Sequence, residues 1–114
     1  MVKQVIEFIK NNKFMNFCHN KWLSSDDYTL YYSIKKDNGK YYDIYLEIEF
    51  EGLFGFNIKL EGKLLYKSHN LFEWYKLRRF IKKEYEVYVK NHLKAVEEII
   101  VFLEDVNRNT TQEN

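Results

Sequence analysis

The sequence predicts an α+β fold: a short N-terminal helix, a three-stranded antiparallel meander, and two C-terminal helices or one long kinked helix packed on the apolar sheet face. Three observations carry this prediction. Residues 28–61 alternate apolar and polar with a period of two, as strands do. Residues 2–11 carry one apolar stripe at helical spacing. From Leu71 onward apolar residues recur at alternating spacings of three and four.

The first helix covers Val2 to about Asn11, with Val2, Val5, Ile6 and Ile9 on one side and Lys3, Glu7 and Lys10 on the other. Ten residues are too few for a stable isolated helix, so it must dock, and the apolar sheet face is the available surface. Residues 12–27 show no period and read as irregular. Phe14, Phe17, Trp22 and Leu23 are too apolar for a free loop and are expected to close one end of the core. Ser24-Ser25-Asp26-Asp27 then reads as the turn into the first strand.

The three strands have parity. Tyr28, Leu30, Tyr32 and Ile34 share a face, as do Tyr42, Ile44, Leu46, Ile48 and Phe50, and then Phe54, Phe56, Ile58 and Leu60. All are even-numbered, so facing pairs sum to an even number and each loop must be odd in length. Asp37-Asn38-Gly39 fits a type I turn with Gly39 left-handed as a bulge, pairing Lys36 with Lys40, Ile34 with Tyr42 and Leu30 with Leu46. A two-residue turn would set Ile34 against Asp43. The second turn, within residues 51–55, keeps parity with three or five loop residues.

Asn70 followed by Glu73 fits a capping box at the start of the last helical region. One unbroken helix over 71–106 would be about 54 Å long. A break is therefore expected in 83–91, giving helices at about 71–87 and 91–107, with a fourth strand at 84–89 as the competing reading. Residues 1–107 are read as one α+β domain and 108–114 as a frayed polar tail.

Composition narrows the function classes. The 114 residues are 18% aromatic, with ten Tyr and nine Phe, which argues against disorder. Formal net charge is +1, so bulk charge draws the chain to neither nucleic acid nor an anionic membrane. The single cysteine excludes an internal disulfide framework. No apolar run approaches the ~18 residues of a membrane span, so a soluble, cytoplasmic protein is expected. Cys18 beside His19 lacks the turn chemistry of a nucleophile site and reads as a core thiol. His19, His69 and His92 are scattered singles without metal-ligand spacing, and His92 on the helix stripe reads as a core-edge histidine. No cofactor, metal site or catalytic residue is expected, and the chain is read as no enzyme.

Two surfaces remain as candidates. On the solvent face of the sheet, Asp43, Glu47, Glu49 and Glu51 form an acidic row on one strand, with Tyr31, Tyr41 and Tyr45 around it. Same-face strand residues recur about every 6.7 Å, close to two steps of the ~3.4 Å per charge along one DNA strand. Tyrosine is also enriched where proteins meet. The bland reading is the solvent face of a half-buried sheet. The second surface is a basic helix cluster, Lys76, Arg78, Arg79, Lys82 and Lys83, with tyrosines nearby able to stack on bases. Its bland reading is a solvated helix face with i,i+4 pairs.

The amphipathic start Val5-Ile6-Glu7-Phe8-Ile9-Lys10-Asn11 and the hairpin Ser33-Ile34-Lys35-Lys36-Asp37-Asn38-Gly39-Lys40-Tyr41-Tyr42 resemble the layout of small phage anti-CRISPR proteins that inhibit Cas9 by acidic mimicry of DNA. The resemblance covers roughly the first half of the chain. It implies a viral inhibitor in the host cytoplasm whose partner is a nucleic-acid-binding defence protein. The expected function is a non-enzymatic protein-binding inhibitor acting through the acid-tyrosine face, with RNA or DNA binding through the basic helix as the alternative. A homodimer would bury an exposed strand edge and a helix stripe longer than the sheet.

Overall fold

Parity decides which side chains enter the core. In a computed structural model describing residues 1–113, with side chains through Asn109, Tyr28, Leu30, Tyr32, Leu46, Ile48, Phe50, Phe56 and Ile58 are all buried. They lie on one face of an antiparallel sheet of five strands in sequential order: β1 Asn16–Lys21, β2 Ser25–Lys35, β3 Tyr41–Glu51, β4 Phe56–Leu60 and β5 Lys63–Ser68. Helix α1, Val2–Asn11, buries Val2, Val5, Ile6 and Ile9, as its apolar stripe requires.

The β2–β3 hairpin has the predicted register. Ile34 pairs with Tyr42, Tyr32 with Ile44 and Leu30 with Leu46. Lys36 N donates to Lys40 O at 2.8 Å, Gly39 N donates to Lys36 O at 2.9 Å, and Gly39 sits at φ 82. These are the marks of a type I turn closed by a left-handed residue.

The three-strand reading was too coarse at both edges. Residues 16–21, read as irregular, form β1, pairing His19 with Tyr28 and Phe17 with Leu30. Only Phe17 of that segment is buried, so a six-residue edge strand leaves little periodic trace. Phe14 packs edge-on to Phe17, 5.2 Å between ring centres, but Trp22 and Leu23 are exposed and do not close the core. The turn there is Trp22 to Ser25, with Trp22 N donating to Ser25 O at 2.8 Å.

Phe54 is not in a strand. The β3–β4 loop takes the three-residue form, with Glu51 N donating to Gly55 O at 2.8 Å and Phe50 paired with Phe56. Leu53 and Phe54 both adopt positive φ, 57 and 64, at a cost of roughly 1–2 kcal/mol each for a side-chain-bearing residue. Phe54 gains a compensating contact, its ring edge-on to Trp74 at 5.3 Å.

The β4–β5 turn uses two residues, Glu61 and Gly62, both at positive φ, so it pairs Leu60 with Lys63 and breaks parity. A bulge restores it. Lys59 faces Leu64, whereas Ile58 faces Tyr66, leaving Leu65 as the extra residue. Tyr66 thereby rejoins the core face against Phe56, ring centres 6.0 Å apart.

The C-terminal region is one α-helix, α2, Leu71–Glu113, not two. Its 43 residues correspond to about 65 Å. No Gly or Pro interrupts 83–91, and the β-branched content there does not overcome the helical frame on either side. Asn70 caps it as expected, accepting from Phe72 N and Glu73 N at 2.9 and 3.0 Å. The reciprocal half of the box is replaced. Glu73 accepts from Tyr66 Oη and Ser68 Oγ, while Ser68 Oγ accepts from Asn70 N. The chain divides into two compact units, 1–83 and 84–114. In the first, Leu77 and Ile81 of α2 are fully buried. In the second, helix continues through the segment read as a frayed tail as far as Glu113; Asn114 lies outside the described residues. His92, expected at a core edge, is exposed there, its ring 6.1 Å from that of Tyr88.

Candidate protein-binding face

In β2, β3 and β4 the odd-numbered residues point away from the apolar face, and the helices of residues 1–83 meet that apolar face, Phe8 against Tyr32 and Arg78 over Phe50. The polar face is therefore uncovered. Tyr31, Tyr41, Asp43, Tyr45, Glu47, Glu49 and Glu51 all lie on it. Tyr31 sits directly across from Tyr45, and their rings meet edge to face at 4.8 Å. Thr29 faces Glu47, Asp27 faces Glu49 and Ser33 faces Asp43.

Aspartate 27 extends the acidic row onto β2. Burial raises its carboxyl above the ordinary range; the hydrogen bond from Trp22 Nε1, 2.8 Å, opposes this, and the charge of Glu49 adds to it. Glu49 is held from the other side. Lys59 Nζ donates to it at 2.9 Å, and that bond holds the ammonium above its ordinary range. Asn57 Nδ2 donates to Glu51 at 2.9 Å. Asp43 and Glu47 have no ion-pair partner among the described residues. The Tyr31 phenol is raised by burial and then by the neighbouring Cys18, Tyr45 and Glu47. Cys18 itself is half-buried on this face opposite Thr29, not a core thiol, because β1 places even residue 18 against odd 29.

The result is a rigid two-dimensional array: an aromatic pair, five carboxylates and one clamped lysine on adjacent strands. It can accept hydrogen bonds and neutralise cations on a partner. The Asp27 and Trp22 contributions were not legible in the sequence: β2 begins at Ser25, within the segment read as a turn, which sets Asp27 opposite Glu49, and Trp22 reaches Asp27 across the β1–β2 turn.

The basic cluster is divided. Lys76, Arg79, Lys82 and Lys83 are exposed. Arg78 instead turns to the sheet, donating to Asp26 Oδ2 at 2.8 Å and lying over the rings of Trp74 and Phe50 at 5.3 and 5.6 Å. The other Asp26 oxygen is 3.3 Å from His19 Nε2, and the His19 ring stacks on Tyr28 at 4.3 Å. Burial alone raises the Asp26 carboxyl, but the bonds and charges of Arg78 and then His19 outweigh it and hold it below its ordinary value. This cluster edges a cavity of about 430 Å³ with Trp22, Phe50 and Trp74 in its wall. Both Asp26 oxygens are engaged, so the arrangement is a clamp between β2 and α2.

Among the described residues no group of three or more His, Cys, Asp or Glu side chains is placed to hold a metal ion, and no helix is long and apolar enough to cross a membrane. Comparison with protein-family models, curated proteins and solved structures finds no match to the chain.

Proposed function

We propose that this protein is a small non-enzymatic inhibitor that docks its acid-tyrosine sheet face on a basic, nucleic-acid-binding protein. One observation carries the reading: Tyr31 and Tyr45 form an aromatic pair at the centre of an uncovered sheet face, bordered by Asp27, Asp43, Glu47 and Glu49. Tyrosine anchors inside a polar rim are typical of protein contact surfaces. Fixed carboxylates at strand spacing offer a cationic groove the negative array it uses for phosphates. The resemblance to anti-CRISPR inhibitors points to the same kind of target, a defence protein in the host cytoplasm.

The test is affinity capture from host lysate with the wild type and with a D43K/E47K/E49K variant. A captured basic protein that duplex DNA displaces, and that the variant fails to retain, supports the reading. Equal capture by the two proteins overturns it. The alternative, nucleic-acid binding through Lys76, Arg79, Lys82 and Lys83, is favoured by their exposure. A salt-titrated gel shift separates the two, since phosphate contacts weaken steeply with salt.

A further inference from the structure

The helical segment 84–109 leaves a large apolar face open. Val96, Ile99, Ile100, Phe102, Leu103 and Val106 are between 38% and 64% exposed. At 100° per residue they fall, with Leu93 and Ala95, on one continuous half of the helix circumference, and Lys90, Lys94, Glu97, Glu98, Glu104 and Asp105 occupy the other half. A soluble helix that buries its apolar stripe in its own core shows no such surface.

We propose that a second copy of this chain covers this face, with the two helices antiparallel. Three features point to that occupant. Positions 88, 92, 95, 99, 102 and 106 repeat at spacings of four and three, the seam of paired helices. When that seam is run antiparallel against itself, Tyr88 meets Val106 of the partner, His92 meets Phe102 and Ala95 meets Ile99, so every layer matches a smaller or polar residue with a larger one. Area is the second feature. At about 180 Å² per large apolar side chain, the exposed fractions amount to roughly 650 Å², near the ~800 Å² per partner of a standard interface. The third is charge. Residues 84–94 hold two lysines and two glutamates, net zero, whereas residues 95–109 hold four acids and one arginine, net −3. Antiparallel copies set each acidic half beside a neutral one; parallel copies set acid against acid.

Light scattering on the full chain tests it. The expected mass is twice the 14.1 kDa of one chain at tens of micromolar. An I99D/L103D variant is expected to run at 14.1 kDa with the near-ultraviolet aromatic signal of residues 1–83 retained. Orientation is read in a C18S background by mixing Tyr88→Cys chains with Val106→Cys chains under oxidation. Antiparallel pairing gives the mixed disulfide, whereas disulfides within each variant alone overturn the orientation. A wild type that stays monomeric at 100 µM, including one that then binds anionic phosphatidylglycerol vesicles, overturns the proposal.

Discussion

Replacing Asp26 by Asn removes one charge without changing side-chain size, and it tests whether Arg78 is a structural clamp. Asp26 is 13% exposed and Arg78 27%, so the pair is shielded from the screening that weakens surface ion pairs. Hydrogen bonds to charged groups contribute about 1.5–3 kcal/mol, and losing the carboxylate also strands the guanidinium over Trp74 and Phe50. Asp26→Asn should therefore lower stability by about 2–3 kcal/mol at pH 7. Urea unfolding measures this directly, and a double-mutant cycle with Arg78→Met isolates the coupling, expected at about 1.5 kcal/mol or more. The pH dependence has a definite sign. A carboxyl held low in the folded state contributes its stability above the unfolded value near 3.8, and loses it as pH falls through the depressed folded value. The gap between wild type and variant should be constant above pH 5 and close below pH 4. Equal stability at pH 7, or a gap that persists at pH 2, would refute the clamp.

Other substitutions probe the fold at single points. Tyr32→Phe should stabilise by about 1 kcal/mol, because the Tyr32 hydroxyl is buried with no hydrogen-bond partner among the described residues. Burial pushes that phenol up to about 12, so wild-type stability should hold up to pH 10 and fall as pH rises towards 12, with the Phe variant lacking this loss. Gly39→Ala should cost about 1–2 kcal/mol by forcing a Cβ into the left-handed region, read as a lower urea midpoint. Leu53→Asn should raise stability by up to about 1 kcal/mol, since Leu53 is 91% exposed and its φ of 57 suits Asn better. Leu77→Ala should cost about 2–5 kcal/mol from a fully buried site, measured by thermal or urea unfolding.

What the sequence disclosed follows from where local pattern and tertiary environment agree. β2 and β3 are long, central and half-buried, so alternation from Tyr28 to Phe50 registers both their faces and their turn. β1 and β5 are edges. Asn16–Lys21 has one buried residue, and in β5 the bulge at Leu65 shifts the alternation by one, so neither displays a clean period. The absence of a helix break at 83–91 was hidden because the exposed Val87 and half-buried Tyr88 and Val89 supply β-propensity without a sheet to join. Of the acid-tyrosine face, the seven residues fixed by parity were readable. Trp22 and Asp27 were not, and neither was the diversion of Arg78, which depends on a partner 52 residues away.

The odd loops at 37–39 and 52–54 also limit how the sheet can change over evolutionary time. A single-residue deletion in either loop would send one strand's core residues outward and draw its carboxylates in, so such indels should be lethal to folding. Paired insertions preserve parity, and point substitutions leave it untouched. The polar face can therefore diversify residue by residue, as fast as a partner demands, while its length and backbone stay fixed. The two-residue turn at Glu61-Gly62 shows how an even loop becomes tolerable: it needs a compensating bulge in the strand beside it, two coordinated changes where one would fail.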